Sequence, residues 1–279
     1  MNSKQIYEQI CRKQSFLCVG LDSDLNKIPE HLLSTKYPVF EFNKQIIDAT
    51  VEYCIAYKPN TAFYEACGKS GFEQLAMTAD YVKSNYPEIF LIADAKRGDI
   101  DNTSQMYAQA FFEKMKFDAV TLSPYMGKDT VKPFLEFPNK WAVLLALTSN
   151  NSANDFQTVK IENGRALYEE VIAQSSKWGN ADNTMYVVGA TKAEMLTQIR
   201  KIIPEHFLLI PGIGAQGGSL EDVAKYGLNN SCGLIVNSSR AIIFADNTKK
   251  FAITAGIKAQ EVQHEMANIL NKELKVKSF

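Results

Sequence analysis

Histidine and cysteine are scarce in this chain, and the few present are scattered. Three histidines (His31, His206, His264) occur in 279 residues, with no HxH or HExxH spacing. Zinc chemistry and histidine-based acid–base catalysis therefore have no motif to rest on. The five cysteines (Cys11, Cys18, Cys54, Cys67, Cys232) are odd in number and far apart, without a CxxC pair. That excludes a disulfide framework and a structural zinc site as organising devices, and a reducing cytoplasm is the expected compartment. No apolar run approaches the ~20 residues of a membrane span. The first ten residues are polar, with apolar side chains at helical spacing, so neither a secretory leader nor membrane insertion is expected. An excess charge of one sign is missing too. Thirty Lys and Arg against 31 Asp and Glu leave no global field to attract nucleic acid or an anionic membrane, so an anionic ligand must be held by local groups.

What the chain does have is a recurring short apolar run. Residues 16–21, 53–57, 89–93, 118–122, 142–147, 185–190, 207–210 and 233–237 are rich in Val, Ile, Leu and aromatic side chains, and amphipathic charged segments separate them. Continuous rather than alternating apolar character fits strands covered on both faces, which is the signature of a parallel sheet. Eight such βα units predict an α/β fold, a (β/α)8 TIM barrel. No Pro-, Gly- or Ser-rich linker interrupts the pattern, so one domain is expected over 1–279. Residues 23–50 and 150–184 are longer than a simple crossover needs and are expected to be elaborated connections, with a helix over Asn163–Ile172.

In such a barrel the strands' C-terminal ends line the active site, and here those ends are polar. They read Gly20-Leu-Asp22, Lys58-Pro-Asn60, Asp94-Ala-Lys96, Ser123-Pro-Tyr125, Thr148-Ser149-Asn150, Pro211-Gly-Ile-Gly-Ala-Gln216-Gly-Gly218 and Asn237-Ser-Ser-Arg240. The four glycines of 211–218 let backbone N–H groups converge on an anion. Ser219-Leu-Glu-Asp222 follows as a helix start, and Arg240 offers a bidentate fork from the next strand. Loops after strands seven and eight form the usual phosphate site of these barrels, so a phosphorylated small molecule is the expected ligand.

The segment Asp94-Ala-Lys96-Arg-Gly-Asp99 puts two carboxylates around a lysine at the end of a buried strand. Residues two apart share a face, so Asp94 and Lys96 project together while Ala95 and Arg97 turn away, and Gly98 allows the chain to turn. Buried charges are costly unless paired. Asp22, Lys58, Asp94, Lys96 and Asp99 at one barrel mouth could neutralise one another.

These motifs, in this order over residues 20–242, resemble the orotidine 5′-phosphate decarboxylase family, specifically its longer bacterial-type subgroup. The resemblance implies cofactor-independent decarboxylation of orotidine 5′-phosphate to UMP and CO2, with no metal, no nucleic acid and no membrane as partner. Lys96 is then the lysine that protonates C6 of the pyrimidine, and Asp94 lies beside the substrate carboxylate. Lys58 joins the charge network and touches the ribose. Asp99, with Thr103 in support, reaches into the site of a partner subunit in a homodimer. Asp22 binds ribose, Ser149 contacts the pyrimidine with Ser123 and Ser152 as nearby alternatives, and Gln216, Gly218 and Arg240 hold the phosphate. Other readings stay open on the same residues. They are a sugar-phosphate lyase of the same superfamily with Asp94 and Asp99 as metal ligands, a Schiff-base aldolase using Lys96 or Lys58, and a non-catalytic phosphate-ligand-binding barrel.

Overall fold

In the computed structural model, which describes residues 1–213 and 218–274, all eight apolar runs form parallel strands. They are β1 (Leu17–Gly20), β2 (Ala56–Lys58), β3 (Phe90–Arg97), β4 (Ala119–Leu122), β5 (Trp141–Leu147), β6 (Thr184–Val188), β7 (Leu208–Pro211) and β8 (Leu234–Ser238). Each pairs with its neighbours in sequence, and β8 closes on β1 through Cys18 opposite Asn237. The result is a closed (β/α)8 barrel. Its strand residues are buried almost without exception, because the barrel interior covers one face and the helical ring the other.

The ring consists of α1 (Ser3–Lys13), α2 (Pro38–Thr50), α3 (Thr61–Glu65), α4 (Gly68–Asn85), α5 (Asp101–Gln109), α6 (Lys128–Leu135), α7 (Leu167–Ser175), α8 (Leu196–Ile202), α9 (Leu220–Gly227), α10 (Arg240–Ile243) and α11 (Phe251–Glu273). Local chemistry sets several starts. The Asn2 side chain and Gln5 cap α1 reciprocally, Asn60 accepts from Ala62 N to start α3, and Ser219 accepts from Asp222 N to start α9. Helix α11 crosses α2 so closely that a Cβ on Gly256 would lie 2.8 Å from Ala49 O. At the N-terminal face of the barrel the Trp141 indole donates to Met1 O at 2.7 Å, seating the first helix beneath the strands. No helix among the described residues is long and apolar enough to cross a membrane.

Two expectations need correction. The second strand begins at Ala56, not residue 53, because α2 runs straight into a 3-10 turn over Val51–Tyr53. There the Tyr53 and Cys54 carbonyls accept from Ser15 Oγ and Lys13 Nζ instead of entering a ladder. The helix expected from Asn163 starts only at Leu167. Asn163 and Gly164 instead form a turn, with Gly164 at φ +79°, that folds Lys160 back onto Ala166. The segments 23–50 and 150–184 are elaborated connections, each carrying a 3-10 turn (Glu30–Leu32, Asn151–Asp155) ahead of its helix.

Candidate active site

The charged strand ends meet at the C-terminal mouth. Lys58, last residue of β2, is buried and places Nζ 2.8 Å from Asp94 Oδ2 and 3.9 Å from Asp22 Oδ1. Lys96 Nζ lies 2.6 Å from the other oxygen of Asp94. One carboxylate is thus held between two ammonium groups of different character. The Lys58 side chain is 5% exposed and that of Lys96 49% exposed, so only the second faces incoming ligand. Burial alone would raise the Asp94 pKa, yet the two lysines hold its carboxyl well below the usual range. Burial likewise opposes charge on Lys58, and Asp94 with Asp22 more than offsets it, keeping that lysine protonated beyond its ordinary pKa.

Lys96 and Asp94 converge for a reason that strand alternation does not supply. Lys96 has φ +47°, and the β3–β4 register slips between Ala93 and Arg97, so this end of β3 is a bulge rather than a regular strand. Arg97 does turn away. It pairs with Glu65 and sits 5.2 Å above the Tyr107 ring and 5.7 Å from that of Phe111, outside the barrel. Asp94 Oδ1 also accepts from Thr121 Oγ1 on β4 at 2.9 Å. Sequence reasoning passed over Thr121, although a lone hydroxyl within Asp118-Ala-Val-Thr-Leu122 was a signal.

Asp22, Lys58, Asn60 and Asp94 share a 150 Å³ pocket with Pro211, Gly212, Ile213, Asn237, Ser239 and Arg240. The Asp22 and Asp94 carboxylates and Lys58 therefore share one opening with Arg240, an exposed residue at the start of α10. Gly20 makes room for it, since a Cβ there would lie 2.7 Å from Ser239 Cβ. Asp22 Oδ1 and Asn237 Oδ1 are buried acceptors with no hydrogen-bond partner among the described residues, although Asp22 Oδ1 has Lys58 Nζ at 3.9 Å. Asn237 is a second residue whose role sequence reasoning did not assign. A larger cleft of 490 Å³ opens between Ser123-Pro124-Tyr125 and Phe156, Leu167 and Tyr168, but no charged side chain lines it.

The other expected residues lie around this core. Asp99 accepts from Ile100 N at 2.8 Å in the loop ahead of α5, and Thr103 is exposed on the first turn of that helix. Neither joins the Lys58–Asp94–Lys96 group within one chain. Ser149 follows β5, half-buried, with its Cβ 2.8 Å from where a Cβ on Gly189 would lie; Ser152 is exposed and Ser123 N donates to Arg97 O. Gly218 N donates to Gly212 O at 3.3 Å and pinches the base of the glycine-rich loop, where Gly212 takes φ +97°. Gln216 lies outside the described residues.

Comparison with known proteins shows the family. The family described as orotidine 5′-phosphate decarboxylase / HUMPS matches residues 15–253. An orotidine 5′-phosphate decarboxylase of Phocaeicola vulgatus is 60% identical over 270 residues, covering 97% of this chain and 99% of its own. That of Christiangramia forsetii is 61% identical over 272 residues, covering 98% and 100%. Among solved structures, OMP decarboxylase of Leishmania donovani superposes with a TM-score of 0.81 at 33% identity, covering 96% of this chain and 99% of that one. A lysine–aspartate–lysine group at the mouth of an eight-stranded barrel and full-length similarity at this level lead to one conclusion: the chain is an enzyme of the orotidine 5′-phosphate decarboxylase family.

Proposed function

We propose that in the decarboxylation of orotidine 5′-phosphate to UMP and CO2 the Lys96 ammonium is both the cation that stabilises the developing carbanion and the acid that protonates it. As the bond from C6 to the carboxylate breaks, its electron pair stays on C6 in an orbital that cannot delocalise into the ring carbonyls. A fixed cation close to that carbon lowers the barrier. The pair then takes a proton from Lys96 Nζ, and the neutral amine recovers one from water. The observation that carries this reading is Asp94 held between a buried and a half-exposed ammonium, at 2.8 and 2.6 Å. That arrangement keeps Lys96 close to an anion before substrate arrives, so little reorganisation remains for the chemical step. It also favours an ion-pair role for Asp94 over metal ligation, since both its oxygens already face cations.

The remaining roles join position in the pocket to what family membership implies. Asp22 Oδ1, 3.9 Å from Lys58 Nζ, and Asn237 Oδ1 are acceptors suited to ribose hydroxyls, Arg240 takes the phosphate together with Gly218 and, by family resemblance, Gln216, and Ser149 contacts the pyrimidine. Asp99 and Thr103 sit beside exposed Ile100 and Met106, with exposed Tyr125 and Met126 on the neighbouring loop. Exposed apolar side chains around a carboxylate that pairs with no cation among the described residues support an isologous homodimer in which Asp99 serves the partner's site. The five free cysteines support a cytoplasmic setting. Lys96→Ala tests the central assignment. Turnover of orotidine 5′-phosphate should vanish, with EDTA present throughout, while UMP still binds; unchanged turnover would remove Lys96 from the chemistry.

A further inference from the structure

Thr121 is buried at the centre of the β3 bulge and bonds to both of the residues the bulge presents. Lys96 N donates to Thr121 Oγ1 at 2.9 Å, and Thr121 Oγ1 donates to Asp94 Oδ1 at 2.9 Å. The direction of both bonds is determined. A backbone N–H can only donate, so the hydroxyl must accept from it, and its own proton is left for the carboxylate. Regular pairing is interrupted here. Ala93 stands opposite Val120 and Arg97 opposite Leu122, so four steps along β3 match two along β4. Thr121 is the β4 residue that spans this mismatch, and its hydroxyl takes the amide that a ladder carbonyl would otherwise accept. Lys96 takes φ +47° in the bulge, a left-handed conformation that is strained for a non-glycine residue. Such a conformation persists only where its surroundings enforce it. The bulge is closed on its far side by Ser123 N donating to Arg97 O at 2.8 Å.

We infer that Thr121 is a positioning residue for the decarboxylation. Its hydroxyl holds the Lys96 backbone and the Asp94 carboxylate at once, and so sets where the Lys96 ammonium stands over the reacting carbon. This inference rests on the proposed role of Lys96. Asp94 bonds to the Lys58 and Lys96 ammonium groups through side chains, whereas the Thr121 hydroxyl accepts from the Lys96 main chain itself.

The test compares Thr121→Val, which keeps shape and loses the hydroxyl, with Thr121→Ser, which keeps the hydroxyl. Measured are kcat and KM for orotidine 5′-phosphate, Kd for UMP and the melting temperature. A displaced acid with an intact binding site predicts that Thr121→Val lowers kcat about 10- to 100-fold, while KM and the UMP Kd stay within about threefold and Thr121→Ser recovers most of kcat. If valine is not tolerated by the fold, Thr121→Ala supplies the same comparison. Full kcat in the variant lacking the hydroxyl would overturn the inference, as would a serine variant as slow as the valine one. A loss of UMP affinity parallel to the loss of kcat would also overturn it, reducing Thr121 to a packing role. An inactive Lys96→Ala beside a fully active Thr121→Val would refute this inference alone, whereas an active Lys96→Ala would refute the reading beneath it.

Discussion

Replacing Lys58 by methionine keeps the length and apolar stem of the side chain and removes only the buried charge. In the parent, that charge attracts Asp94 across 2.8 Å and Asp22 across 3.9 Å. At an effective dielectric of about 20 the two attractions amount to about 6 and about 4 kcal/mol. Most of this is offset by the cost of taking the charges out of water, and breaking a buried pair from one side typically nets about 3–5 kcal/mol. Asp94 keeps Lys96 and Thr121, which places the variant at the low end, about 3 kcal/mol, or roughly 6–10 °C in melting temperature. The pH dependence identifies the cause. The Asp94 carboxyl is held well below its usual pKa in the fold, so its stabilisation is complete above the unfolded value near ~4 and is lost as pH falls towards the folded one. The gap between parent and variant should therefore be constant from pH 5 to 8 and narrow by about 1.4 kcal/mol per pH unit below ~4. Urea unfolding at pH 7 and pH 3 measures it. Equal stability at pH 7, or a gap that acid does not narrow, would refute the reasoning.

Other perturbations probe the remaining parts. Arg240→Ala removes a charge-assisted contact to phosphate, so UMP and substrate should both bind about 10- to 100-fold more weakly; calorimetric titration with UMP reads it, and an unaltered affinity counts against the clamp. Mixing Lys96→Ala with Asp99→Ala subunits leaves one intact site in each heterodimer, so random association should restore about a quarter of parental activity; no recovery would argue against a shared site. The His206 pKa is pushed down to about 4 by burial, with Arg200 beside it, and neither of its ring nitrogens has a hydrogen-bond partner among the described residues. The unfolded chain binds its proton from about pH 6.5 downward, so stability falls as pH drops from 6.5 to 4, by about 1–3 kcal/mol after discounting for partial exposure. His206→Phe should remove that slope in urea midpoints at pH 7 and 4.5, and an identical slope in both proteins would exclude His206 as its source.

The sequence by itself determined the strand count, the parallel barrel and the polar character of the strands' C-terminal ends. Those depend on continuous apolar runs and on polar residues immediately after them, which are local properties of the chain. It also named Asp22, Lys58, Asp94 and Lys96, because a rule about strand ends converts chain position into a place at the mouth. Only the tertiary structure decided how they act on one another. Lys58 and Asp94 are 36 residues apart and Thr121 and Asp94 27 apart, and nothing local specifies that one carboxylate bridges two lysines. The left-handed Lys96 was equally hidden. Alternation along a regular strand predicts the same facing for Asp94 and Lys96, but the observed convergence comes at a bulge, where the register against β4 slips and Lys96 turns left-handed. Thr121 and Asn237 looked like ordinary strand residues because their meaning lies in distant neighbours, Asp94 and Lys96 for one and the pocket shared with Asp22 and Lys58 for the other, that only barrel closure brings within reach.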